Sequence, residues 1–199
     1  MTLEQGRQTA RRAFGFLFFC VSLAVGLGAL LSELAHLASA DPYVHAIIWL
    51  ASFSGVFGAA YPKFRKVAPS IRKRMKGSAT WGLAAKSINA VCWAGPFLAI
   101  PVFPALYQYL ILLGIGLGNL STYVMIKKFN LSENREQLVV ASVSLAAIPI
   151  AFALDTTIFA ASQDIAVMLS RILIAISYAA GGIFAYTGAN EPAAQQLSR

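Results

Sequence analysis

Unbroken apolar runs constrain this chain more than any other feature. A helix needs about 20 apolar residues to cross the hydrocarbon core, and runs of that order recur from one end of the sequence to the other. Hydrophobic residues make up 58% of the 199 positions and charged residues only 12%. That is about half the roughly 25% charge of a soluble chain, so a soluble domain lacks the polar surface it would need. Disorder is excluded by the abundance of aliphatic and aromatic residues. The runs do not alternate between polar and apolar, which argues against a transmembrane β-barrel. The expectation is an all-α, polytopic integral membrane protein.

Six spans are predicted, at 13–38, 44–60, 81–99, 104–126, 138–154 and 165–187. The third and fourth divide a longer apolar region at Ile100-Pro101-Val102-Phe103-Pro104, where two prolines withhold backbone donors and disfavour helix before them. Outside the 13–188 transmembrane domain lie a 1–12 N-terminal segment and a 189–199 tail, and within it a basic loop at 61–80. Arg11-Arg12-Ala13-Phe14 ahead of an apolar run has the look of a twin-arginine export signal. The run is too long for a signal core, and Glu33 and His36 interrupt its end, so the segment is expected to remain as a span.

Charge sets the expected orientation. With the N-terminus inside, the segments 1–12, 61–80, 127–137 and 189–199 hold 14 of the 16 Lys and Arg residues. Lys86 and Arg171 fall within spans, and the outside loops carry Asp41, Asp155 and Asp164 with no cation. The positive-inside rule then predicts cytoplasmic N- and C-termini, in the cell membrane. The net charge of +8 belongs to one face and not to a nucleic-acid site, since no soluble domain exists to read a base. Lys63, Arg65, Lys66, Arg72, Lys73, Arg74 and Lys76 concentrate it, interleaved with Phe64, Val67, Ala68, Ile71 and Met75 at helical spacing. Such a stretch suits an anionic leaflet, or serves only as a topology determinant.

Two polar groups within the spans could carry chemistry. Glu33 and His36 share one face of the first helix, His45 begins the second, and Arg171 lies at a depth similar to that of Glu33. They either line a polar vestibule for an ion or solute, or form a structural tie in which Glu33 pairs with Arg171 and removes an unpaired charge from hydrocarbon. The second group is Asn89 and Asn119, expected to bond to each other near Ser54, Ser121, Thr122, Ser142 and Ser144. Glu-x-x-His occurs once, too little for a bundle di-metal site, so neither metal nor cofactor is expected. Gly26-x-Gly28 and Gly114-x-Gly116-x-Gly118 should allow close helix contacts. No nucleophile–base pair or cofactor fingerprint points to an enzyme. Two functions fit: a small transporter or channel for an ion or solute, and a non-catalytic structural or accessory subunit of a larger membrane complex. The partners expected are the bilayer, including anionic lipids at the basic face, and further copies or other membrane subunits.

Overall fold

The computed structural model of the protein describes residues 3–75, 81–130 and 134–189. Six α-helices account for nearly all of them: α1 (Leu3–Leu37), α2 (Pro42–Met75), α3 (Leu83–Ala99), α4 (Tyr107–Asn130), α5 (Arg135–Ala153) and α6 (Gln163–Ala189). A 3-10 turn, Pro104–Leu106, leads into α4, and a π-helical turn, Leu154–Ile158, prolongs α5. Five of the helices are long and apolar enough to cross a membrane. The third, α3, has 17 residues and falls just short. The described residues contain no strand.

Helix extends further than the apolar runs do. The basic stretch expected as a loop from 61 continues α2 through Pro62 and Pro69 to Met75. Lys63, Arg65, Lys66 and Arg72 therefore stand exposed on a helix, Lys73 and Arg74 lie on its last turn, and Lys76 lies outside the described residues. Lys63 places its ammonium 4.8 Å from the centre of the Phe16 ring on α1, a cation–π contact that fastens this arm to its neighbour. Pro96 and Pro149 are both accommodated inside helices, α3 and α5.

The helices alternate in direction, and their neighbours run in the order α2–α1–α6–α5–α4–α3. First and last helices thus sit side by side, and α2 and α3, consecutive in sequence, become the two ends of the row. Glycines explain how the seams close. A Cβ on Gly15 would lie 2.9 Å from the Tyr186 ring, one on Gly28 would lie 2.7 Å from the Trp49 indole, and one on Gly114 would lie 2.7 Å from Phe97. Gly116 receives Leu145, Gly118 receives Trp93 and Gly181 receives Val140 in the same manner. Lipid offers no hydrophobic gain to helix pairing, so close packing over small residues must supply the attraction. Ser22 adds a hydrogen bond from its Oγ to the Ala175 carbonyl at 2.8 Å. At the basic end of the same seam Arg11 donates from Nη1 to the Gly188 carbonyl at 3.0 Å, capping the end of α6.

The outward faces are apolar: Leu50 is 70% exposed, and Leu98 73%. Leu112, Ile115, Ala147 and Ala151 pack the half remote from the basic end. Between α1 and α2, Ala40 N–H bonds to the Ala35 carbonyl and Ser39 N–H to the His36 carbonyl, with Ser39 at a φ of 52°. This is a Schellman ending with serine where glycine is favoured.

Two expectations follow for thermal unfolding in detergent. Ser39→Gly should raise stability by about 0.5–1 kcal/mol by relieving the left-handed residue. Gly181→Ala places a methyl against Val140 and 3.1 Å from the Glu136 carbonyl, and should destabilise by about 1–3 kcal/mol. Gly58→Ala is the control, since nothing lies within 4 Å of a Cβ there.

Candidate functional site

Helical spacing builds the site. Phe14, Leu17, Phe18 and Val21 on α1 repeat at steps of three and four, as do Lys86, Asn89, Ala90 and Trp93 on α3 and Asn119, Thr122 and Ile126 on α4. Each set lies on one helix face, and the three faces turn toward a common cavity of about 610 Å³ in the basic half of the bundle. Ile71 of α2, Trp81, Gln137 of α5 and Tyr178 of α6 complete its lining. Its volume is that of a pocket for a small organic molecule.

The polar wall is organised by α4. Asn89 Oδ1 accepts from Ser121 Oγ at 2.8 Å and from Thr122 Oγ1 at 3.0 Å. Both hydroxyls also reach the Gly118 carbonyl, at 3.0 and 2.8 Å. Each hydroxyl has one proton, so each donates to either Asn89 or the carbonyl at any moment. Trp93 donates its indole N–H to Thr122 Oγ1 at 3.0 Å, and Gly118 leaves the room that seats the ring. Asn119 turns back, donating to the Ile115 carbonyl at 2.9 Å, with the Tyr178 hydroxyl at its amide. The expected direct Asn89–Asn119 bond is therefore not formed. The two amides face one cavity, and the hydroxyls two and three residues further along α4 take the role given to Asn119. Of the other hydroxyls expected nearby, Ser54 and Ser142 are exposed, and Ser144 is buried with no partner among the described residues.

Three polar groups on this wall have no partner among the described residues: Trp81 Nε1 and Gln137 Oε1, buried in residues only 6% exposed, and Asn89 Nδ2. A buried group left unmade costs about 1–3 kcal/mol. The described residues that line the cavity include Lys86 and no carboxylate. The arrangement suits a polar organic solute.

At the far end, which carries Asp41, Asp155 and Asp164, the ionisable residues pair differently from expectation. Arg171 donates from Nη2 to the Tyr107 hydroxyl at 3.1 Å, and Glu33 makes no ion pair or hydrogen bond among the described residues. The register of the α1–α6 seam explains why. It sets Gly15 beside Tyr186, Gly26 against Ala175 and His36 against Asp164. Glu33 is then level with Val167, and Arg171 with Ala29, one turn deeper. His36 bonds to Asp164 at 3.2 Å and not to His45, which has no polar partner among the described residues. Sequence reasoning missed a further knot here. Asp155 Oδ2, in the π-helical turn, accepts from the Tyr109 hydroxyl and from Gln108 Nε2 at 3.3 Å. No cluster of three or more His, Cys, Asp or Glu side chains with metal-binding geometry occurs among the described residues. Compared with protein-family models, curated proteins and solved structures, the chain shows no match.

The polar wall makes a quantitative prediction. Thr122→Val removes the acceptor of Trp93 and one donor to Asn89, and should destabilise by about 1–3 kcal/mol. Combined with Asn89→Leu it should cost clearly less than the sum of the singles, because both act on one network. Additive thermal shifts would disconnect the two residues.

Proposed function

We propose that the protein is a small carrier of an organic solute, with six membrane-crossing helices, both termini in the cytoplasm and a place in the cell membrane. The observation that carries the reading is the cavity, on whose wall Trp81 Nε1 and Gln137 Oε1 are buried without a partner among the described residues. The basic residues gathered around its end support the orientation. The cavity lies in the basic half, and the far half is packed by Leu112, Ile115, Ala147 and Ala151. A site served from one side at a time suits a carrier better than an open channel. In this reading Asn89, Asn119 and Gln137 hold the solute. Glu33, His36, His45 and Arg171 belong to the far gate, where bonds such as His36–Asp164 must break on opening. Those two side chains are 53% and 63% exposed, and pairs so exposed are weak enough to do so. The basic arm of α2 rests on the anionic cytoplasmic leaflet.

A second reading, as a subunit of a larger complex or an oligomer, is favoured by α2. Ala51, Ser54, Gly55, Gly58 and Ala59 are all exposed, and a Cβ at either glycine would meet nothing within 4 Å. Small-residue faces of this kind receive neighbouring helices.

Gln137→Leu separates function from stability, because it replaces an unpartnered acceptor with an apolar side chain. Its melting temperature should be unchanged or higher. Small molecules released by heating the purified protein are identified by mass spectrometry, and the one retained is tested for counterflow in proteoliposomes. The wild type should retain and exchange it, and Gln137→Leu should retain about tenfold less, the loss of one hydrogen bond to a polar solute. A wild type that holds no small molecule, yet keeps a second membrane protein released by Gly58→Leu, would transfer the case to the subunit reading.

A further inference from the structure

Three vacancies on the cavity wall have a defined hydrogen-bonding sense. Among the described residues Trp81 Nε1 is a buried donor without a partner, and Gln137 Oε1 is a buried acceptor without one. Asn89 Nδ2 is a second donor in the same state. Its direction is set, because Ser121 and Thr122 hold the Oδ1 end of the amide. All three residues line the same space. Groups left unanswered in a buried site cost free energy, so the best ligand meets two donors and one acceptor at once.

That count narrows the chemistry. An ionised carboxylate or phosphate only accepts, and would leave Gln137 unanswered. An ammonium only donates, and would leave Trp81 and Asn89 unanswered. A hexose has both functions but more hydroxyls than there are vacancies, and the surplus would lose water against apolar side chains. Two carbonyls and one N–H make the matching set. The remaining walls select shape. Phe14 and Phe18 of α1 and Tyr178 of α6 bring rings to the cavity, and so does Trp93 of α3. Backbones of α1 and α3 do not pack together among the described residues, so these rings bound the space from separate helices. The Trp93 indole is held by Thr122 and seated over Gly118, and is in place before any ligand arrives. Aromatic faces held in this way receive a flat ring by stacking.

We infer that the cavity binds a flat, uncharged nitrogen heterocycle with an imide edge, an N–H between two carbonyls as in a uracil ring. This rests on the reading of the cavity as a solute site and names the class of solute. In the bound pose Gln137 Oε1 accepts the imide N–H, while Asn89 Nδ2 and Trp81 Nε1 donate to the carbonyls. The ring lies among Phe14, Phe18, Trp93 and Tyr178. About 610 Å³ exceeds one such ring and leaves room for a substituent on it.

The test uses the full chain in phosphatidylcholine nanodiscs and equilibrium dialysis of tritiated uracil. Binding should saturate at one site per chain. Dihydrouracil keeps the imide edge and loses the aromatic face, and should compete about tenfold more weakly through lost stacking. The analogue 3-methyluracil keeps the face and loses the imide N–H, and should also compete about tenfold more weakly. In Gln137→Leu uracil itself should weaken about tenfold, whereas 3-methyluracil should bind as it does to the wild type, having no proton for the lost acceptor. A melting temperature no lower than that of the wild type certifies the fold of the variant. Equal competition by dihydrouracil would overturn the stacking. Equal weakening of uracil and 3-methyluracil by Gln137→Leu would overturn the imide edge. Glucose competing at the same concentration as uracil would turn the cavity into a sugar site. Absence of saturable uracil binding sinks the heterocycle while leaving the carrier reading to its own retention assay. Saturable binding without counterflow supports the ligand class and sinks transport.

Discussion

Every seam of this bundle depends on a large side chain seated over a glycine of the neighbouring helix. Trp49 over Gly28, Phe97 over Gly114, Leu145 over Gly116, Trp93 over Gly118, Val140 over Gly181 and Tyr186 over Gly15 form a nearly complete set of joints. In hydrocarbon such joints must supply what the hydrophobic effect supplies in water. Dispersion falls steeply with separation, so the ring has to reach the backbone surface, and only a residue without Cβ permits it. The same joints determine the site. Trp93 over Gly118 brings the indole N–H to Thr122, and the polar wall of the cavity is built outward from that contact.

The order of the helices does the rest. With α1 paired to α6 and no packing between α2 and α3 among the described residues, the row ends at those two helices. Polar groups within the apolar layer are mostly settled locally. Ser170 and Ser177 bond to the carbonyls of Ala166 and Leu173 one turn back. Among the described residues Trp81 and Gln137 are exceptions that belong to the cavity, and Ser32, Ser52 and Ser144 are exceptions that do not.

The helices were legible because apolar length and proline position report directly on what can cross a bilayer. Helix ends were not: the arm from 61 to 75 is polar but helical, and periodicity in Phe64, Val67, Ala68 and Ile71 was the sign of it. Asn89 was correctly placed beside α4, since a buried amide needs a partner. That Ser121 and Thr122 would supply it depends on rotation about the helix axis by a single residue, which hydropathy does not resolve. Glu33 and Arg171 failed for a related reason. Depth counted from apolar boundaries is uncertain by a turn, and one turn is enough to hand Arg171 to Tyr107. The aromatic walls had a usable signal in the three-and-four spacing of Phe14, Leu17, Phe18 and Val21, though a packed core produces the same pattern.

The clasp of Arg11 on Gly188 has a bearing on how the chain is made. Arg11 meets its partner only after a further 177 residues have been synthesised. At about 5–20 residues per second, the first hairpin, complete at Met75, waits in the bilayer for roughly six to twenty-three seconds. During that interval the glycine faces of α1 that α6 will cover are open to any helix nearby. Biogenesis of the protein therefore favours a chaperoned or sheltered N-terminal hairpin, and crowding of unfinished chains is the condition under which mispairing would arise.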